Sequence, residues 1–445
     1  MKTKTILLTV LLTVFSVLFT TNSYAQSTVV YSSNSSKRIG NFSIDIKGKG
    51  DFKIEYEGDI VLSDDDKDIV SISRGGFIEI KKSSFGKKRR VVIEAESGTL
   101  KKRYFVGWSE KSYEPEGKAW LAEILPEIIR NTTIGAEARV KRFYNRGGAN
   151  AVLKEIERLE SDYVSSAYFS YLMDYNLNAS ELTRVVEIAG NQIDSDYYLA
   201  QLLQKNQRAF LGNSQTLSAY IKATRNIQSD YYMSQVLNKA VKNDEISDDQ
   251  LGDLLQISKN IQSDYYLSQV LGKILDSREL NKSNMEKIMS LSNSISSDYY
   301  KSQVLKKALK KNNLSDKNYK TFISSIDDVG SDYYSSSIIE DLLKKDLDNA
   351  SLTQLLDLIN KNVGSDYYAS SLYKKLAKKK LSEDQLIKVL DSLSNVNSSS
   401  YLSSALIAFA PNVKNASQRV KDAYMRRAKS INSDLYFGRA MKAIY

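Results

Sequence analysis

Between residues 40 and 107 apolar and polar positions alternate with a period of two. The runs are FSIDIK from Phe42, FKIEYE from Phe52, DIVSIS from Asp68, FIEIKK from Phe77, RRVVIEAE from Arg89 and LKKRYFVG from Leu100. Gly48 and Gly50, Glu57-Gly58, Gly75-Gly76 and Ser97-Gly98 sit between them as turn chemistry. Alternation puts every second side chain on one face, so the spacing predicts an antiparallel meander or small sandwich with one wet face.

Past SYEPEGKAW at 112–120 the period changes to that of a helix. WLAEILPEIIRNTTI and GAEARVKRFYNRGGANAVLKEIERLE carry apolar residues at helical spacing, with Pro126 expected to bend the first and Gly147-Gly148 to divide the second. Residues 113–160 read as a helical connector and N-terminal cap, because a repeat array needs an atypical unit over its first apolar face.

From Ser161 a repeat takes over. Ser-Asp-Tyr-Tyr stands intact at Ser195, Ser229, Ser263, Ser297, Ser331 and Ser365, with degenerate copies at Ser161 (SDYV), Ser399 (SSYL) and Ser433 (SDLY). Read this way, all nine starts differ by 34 residues. Within 226–259, Val236, Leu237, Ala240 and Val241 share one helical stripe and Leu251, Leu254 and Leu255 another. Ser247-x-x-Gln250 and Ser382-x-x-Gln385 are capping boxes that start the second helix. Each unit is therefore two short antiparallel helices, neither of which buries its stripe alone. The fold class that follows is α+β multidomain: an N-terminal antiparallel β domain (26–112), then an all-α solenoid (αα-superhelix) of 34-residue two-helix repeats over 161–445.

The tetrapeptide has a local job in this scheme. Ser or Asp at a helix start accepts hydrogen bonds from that helix's own free N–H groups. Ile193, Ile227, Ile261, Ile295, Val329, Val363 and Ile431, two residues upstream of the Ser, read as hydrophobic anchors. A small column (Ser166, Ala200, Ser234, Ser268, Ser302, Ser336, Ser370, Ser404, Gly438) lies beside a large buried one (Phe169, Leu203, Leu237, Leu271, Leu305, Ile339, Tyr373, Ile407, Met441), which predicts interlocking packing. The adjacent tyrosines stand about 100° apart on the helix, so one ring is expected against the preceding repeat and the other against the following one.

Composition narrows the chemistry. The chain has no Cys and no His, which removes disulfides, Ser-His-Asp and Cys-His catalysis and HExxH zinc sites. Lys2 and Lys4, an apolar run of 14 residues from Ile6 to Phe19, and Ser23-Tyr24-Ala25 form a secretory signal over 1–25. No later segment is apolar enough to span a bilayer, so the mature chain is expected to have no transmembrane segment and to be periplasmic or secreted. The formal charge of +10 falls to about +8 without Lys2 and Lys4. Outside the cytoplasm such a surface meets anionic glycans, headgroups or acidic proteins rather than nucleic acid.

Two columns are candidate ligand groups: the acids Asp196, Asp230, Asp264, Asp298, Asp332 and Asp366, and the rings Tyr197, Tyr231, Tyr265, Tyr299, Tyr333 and Tyr367. Packed helices stand about 8–10 Å apart, too far for neighbouring acids to share one Ca²⁺ at about 2.3–2.6 Å. Capping for the acids and packing for the rings are the plainer readings. Asp64-Asp65-Asp66 with Asp68 reads as a solvated turn rather than a Ca²⁺ loop. The lysines of KKALKK (Lys306, Lys307, Lys310, Lys311) and YKKLAKKK (Lys374, Lys375, Lys378, Lys379, Lys380) read as exposed helix faces that permit one basic stripe. No catalytic residue, metal or cofactor is expected, and the chain is expected not to be an enzyme.

The residues SDYYxSxVL resemble the HEAT-like repeats of exported bacterial proteins, and are similar to extracytoplasmic segments of beta-lactam-receptor-type sensor peptidases. The helical lead-in from Trp120 and the β-region containing DDDKDIVSISRGGFIEI resemble the same group. The resemblance implies export and a sensory or scaffolding context, and brings no catalytic residues, since His, HExxH and membrane helices are missing. Together these features favour a non-enzymatic scaffold for a protein or peptide partner, with an envelope glycan held by Tyr and Lys as the alternative.

Overall fold

A computed structural model describes residues 39–46, 50–84, 87–243, 246–311 and 316–445. The signal sequence expected over 1–25 lies outside the described residues. The chain forms two compact units, the first ending at Arg142 and the second running Phe143–Tyr445.

The first unit is an antiparallel sheet in the order β1-β2-β5-β6-β7-β8, with a separate β3-β4 pair. The strands are β1 (Ile39–Ile46), β2 (Gly50–Glu57), β3 (Ile60–Leu62), β4 (Ile69–Ile72), β5 (Phe77–Ser84), β6 (Lys87–Glu96), β7 (Thr99–Val106) and β8 (Ser109–Lys111). Six of the eight are the alternating runs; β3 and β8, three residues each, are too short to establish a period. Phe52, Ile54 and Tyr56 point inward while Lys53 and Glu55 face water, as a pleat requires.

The inward face is covered by helix α1 (Lys118–Asn131), whose Trp120, Leu121, Ile124, Leu125, Ile128 and Ile129 join the strand residues in one core. Residues 113–160 were expected to be a connector, but α1 belongs to the β unit. Its apolar stripe has a sheet to cover, and the Trp120 ring lies 5.7 Å from Tyr104.

The acidic turn is not simply solvated. Asp66, left-handed at φ 60°, accepts from Arg139 Nε at 3.1 Å and Nη2 at 2.8 Å, and also pairs with Arg142. Both arginines lie in helix α2 (Ala136–Ile156), which is interrupted at Gly147–Gly148 as the sequence predicts. Asp68 pairs with Lys102 at 2.7 Å.

The second unit repeats one motif. Its first helices are Asp162–Leu172, Asp196–Lys205, Asp230–Ala240, Asp264–Ser277, Asp298–Lys311, Asp332–Leu342, Asp366–Leu376, Ser399–Lys414 and Asp434–Ile444. Between them run second helices Ala179–Gln192, Ser214–Arg225, Asp248–Ser258, Lys282–Asn293, Asp316–Ile326, Asn349–Asn362, Glu383–Ser392 and Gln418–Ala428. First helices pack on first helices of the next repeat, and second on second, so each row buries the stripe of its neighbour. Both capping boxes form: Ser247 with Gln250, and Ser382 with Gln385. The anchors from Ile193 to Ile431 are buried.

One repeat corrects the fixed interval. The helix expected to start from Ser399 is capped by Ser398, so the preceding step is 33 residues and the following one 35. The shift moves the columns: Leu406 and Ser403 are buried, whereas Ile407, expected in the core, is 39% exposed. Val396 supplies the missing anchor. In the repeat that opens at Ser433, Gly438 is exposed and Met441 half-buried.

A candidate binding surface on the first helices

Six of the nine first helices, from Asp196 to Asp366, open with Ser, then Asp, Tyr and Tyr. The serine side chain makes no capping bond, and the Asp does not cap its own helix. Instead the Asp reaches the next repeat. Asp196 accepts the backbone N–H of Gln228 at 3.0 Å and of Ser229 at 2.7 Å. Asp230 holds Gln262 at 3.1 Å and Ser263 at 2.6 Å, and Asp264 holds Ser296 at 3.1 Å and Ser297 at 2.7 Å. Asp298, Asp332 and Asp366 do the same for Gly330 and Ser331, Gly364 and Ser365, and Asn397 and Ser398. Local capping is thus replaced by a clamp between repeats.

The physical reason lies in the turn before each helix. Its N–H groups have no intrahelical partner, and a charged acceptor from the neighbour satisfies two of them at once. Hydrogen bonds to a charged group contribute about 1.5–3 kcal/mol each. The six candidate acids are therefore committed to backbone amides rather than to a ligand. Among the described residues no group of three or more Asp or Glu is arranged to hold a metal ion.

The tyrosines form a continuous zigzag. Tyr231 meets Tyr232 of its own repeat edge-on at 5.0 Å and Tyr266 of the next at 5.9 Å. The same two contacts recur from Tyr197 to Tyr367, the series beginning with Tyr163 on Tyr198 at 6.1 Å and ending with Tyr367 on Tyr401 at 6.0 Å. Edge-to-face pairs at this spacing contribute about 0.5–1.5 kcal/mol beyond their buried area. As adjacency predicts, the first ring of each pair packs on the following repeat and the second on the preceding one. Tyr401 takes the place of a second ring, in keeping with the one-residue shift at Ser398.

The two rings differ in exposure. Tyr198, Tyr232, Tyr266, Tyr300, Tyr334 and Tyr368 are half-buried. Tyr197, Tyr231, Tyr265, Tyr299, Tyr333 and Tyr367 are 46 to 57% exposed, in one row along the N-terminal ends of the first helices.

Running along these helices from Tyr299 toward their C-terminal ends is a groove of about 970 Å³, spanning three repeats. Tyr299, Gln303, Lys306 and Lys310 share one face of their helix at i, i+4, i+7 and i+11. Lys273, Lys306, Lys307, Lys310, Lys344 and Lys345 line the groove against only Asp276 and Asp341. Lys307 binds Asp276 at 2.6 Å, Lys344 binds Asp341 at 2.6 Å, and Lys306 lies 3.4 Å from Asp341. Burial favours the neutral form of Asp341, but the hydrogen bond from Lys344 and the charges of Lys306 and Lys344 outweigh it and hold the carboxyl below its ordinary range. Lys273, Lys310 and Lys345 have no carboxylate partner among the described residues.

KKALKK signals this basic stripe in the sequence. Its company, Lys273 and Lys345 from flanking repeats, is visible only once the repeats are stacked. Among the described residues, no helix is long and apolar enough to cross a membrane.

No family model matches the chain, and no curated protein matches it. Among solved structures the chain is similar to one from "Computational Design of Self-Assembling Cyclic Protein Homooligomers", at 15% identity, covering 66% of this chain and 92% of that one, with a TM-score of 0.12. A score that low carries no argument about shape or assembly.

Proposed function

We propose that this protein is an exported, non-enzymatic scaffold that holds an extended protein or peptide segment on the face of its first helices. One observation carries the reading: the exposed tyrosine row and the lysine groove share a face, with Tyr299 and Tyr300 lining the same groove as Lys306, Lys307 and Lys310. The rings supply apolar contact with a hydroxyl at the rim, at little conformational cost. The uncompensated lysines favour a segment carrying Asp or Glu. Lys2, Lys4, the apolar run and Ala25 support export, and the lack of His and Cys supports a role in binding.

The test is fluorescence anisotropy with labelled acidic and neutral peptides. Acidic peptides are expected to bind, with affinity falling at least tenfold in Lys306→Glu/Lys310→Glu and in Tyr299→Ala. Affinity indifferent to all three changes would count against the reading. The exposed rings favour a second reading, an envelope glycan stacked on the row, and co-sedimentation with peptidoglycan tests it.

A further inference from the structure

One end of the sheet carries an aromatic ring and cations that the scaffold reading does not use. Trp108, in the turn between β7 and β8, is 97% exposed, whereas Trp120 is buried in the core. The Gly107 N–H donates to the Lys88 carbonyl at 2.8 Å, fixing that turn beside β6. Lys88 Nζ lies 6.0 Å from the Trp108 ring centre.

The register sharpens the picture. Lys82 stands opposite Arg89, and Lys81 opposite Arg90. Like charges directly opposite one another disfavour a strand pair. Glu79 relieves one of these pairs, at 2.5 Å from Lys81 and 3.2 Å from Arg90. Lys82, Lys88 and Arg89 have no carboxylate partner among the described residues. By register the nearest acids are Asp51, opposite Ser83, and Glu110, opposite Phe105.

Cations alone would suit any polyanion. A fully exposed indole beside them selects a surface that is anionic outside and apolar within, because Trp settles at the lipid–water boundary and neighbouring basic groups are drawn to anionic headgroups. We propose that this end of the sheet docks on an anionic lipid bilayer, with Trp108 entering the headgroup region and Lys82, Lys88 and Arg89 meeting the phosphates. The inference is independent of the groove on the first helices.

The test uses the full chain with vesicles of phosphatidylglycerol and phosphatidylcholine, against phosphatidylcholine alone. The apolar N-terminal run is common to all variants, so the reading is taken from differences between them. Anionic vesicles are expected to shift the exposed-Trp emission to the blue and to bind at least tenfold more protein. Trp108→Ala should abolish the shift, leaving Trp120 unchanged, and Lys88→Glu/Arg89→Glu should lower binding about tenfold with an unaltered circular dichroism spectrum. Three results would overturn the proposal: anionic binding without an emission shift, binding unaffected by these variants, or an equal shift with soluble polyphosphate.

Discussion

The Asp230 carboxylate accepts the backbone N–H of Ser263, 33 residues later, at 2.6 Å. The residue that a local reading assigns to its own helix start is the residue that builds the start of the next. Asp230→Ala should therefore destabilise the second unit by about 2–4 kcal/mol, since it removes charge-assisted bonds and leaves two amides without an acceptor. Asp230→Asn keeps one acceptor oxygen and should cost less. Urea denaturation followed by helical circular dichroism measures both, and equal stability of all three chains would refute the clamp.

The displaced repeat gives a sharper contrast. Leu406 is fully buried, whereas its neighbour Ile407 is 39% exposed where a constant interval places it in the core. Leu406→Ala should cost about 2–5 kcal/mol, whereas Ile407→Lys should be nearly neutral. An Ile407→Lys penalty as large as that of Leu406→Ala would restore the constant register.

In the first unit, Asp66→Ala removes a close carboxylate from Arg139, whose side chain is 2% exposed, and from Arg142, and should cost about 3–5 kcal/mol. Asp66→Asn tolerates the left-handed backbone and so isolates the lost charge; it should lie between Ala and the native chain. Near-ultraviolet circular dichroism of the buried Trp120 follows this unit's unfolding.

Alkaline pH should weaken the second unit. Tyr220, Tyr373 and Tyr424 are all pushed above the ordinary tyrosine value of 10.0, with burial the leading cause in each. The folded state keeps protons there that the unfolded state releases. Stability from these groups is thus intact below pH 10 and falls as the pH rises above it. The Tyr220 hydroxyl finds no partner among the described residues, so Tyr220→Phe should stabilise by about 1 kcal/mol and flatten the alkaline decline. Equilibrium unfolding at a series of pH values tests both statements.

What the sequence reveals here is whatever repeats or alternates. Six strands and the large buried column up to Tyr373 follow from period, and both capping boxes from a local motif, because each depends on residues within one turn or one pleat. The clamps do not, because their partners lie about one repeat away and Ser-Asp has a plausible local use. The shift at Ser398 is hidden by the run Ser398-Ser399-Ser400, in which any of the three can serve as a cap. The apolar stripe of α1 announces burial without naming what covers it, and the Asp66 turn discloses its arginines only when the chain closes over 73 residues. The candidate surface divides in the same way: the opposite flanks taken by the two rings of a pair follow from helical geometry, while the outward row and the lysine groove are set by how the repeats stack.

The clamps also give the array a direction. Each carboxylate serves the repeat that follows, so the two ends of a shortened array are chemically unlike. Ending it after any repeat leaves an aspartate in water, its ordinary condition. Ending it before one leaves a helix entry without its acceptor. For the clamp alone, a C-terminal cut thus costs little beyond the apolar stripe it uncovers, while an N-terminal cut also needs a substitute acceptor.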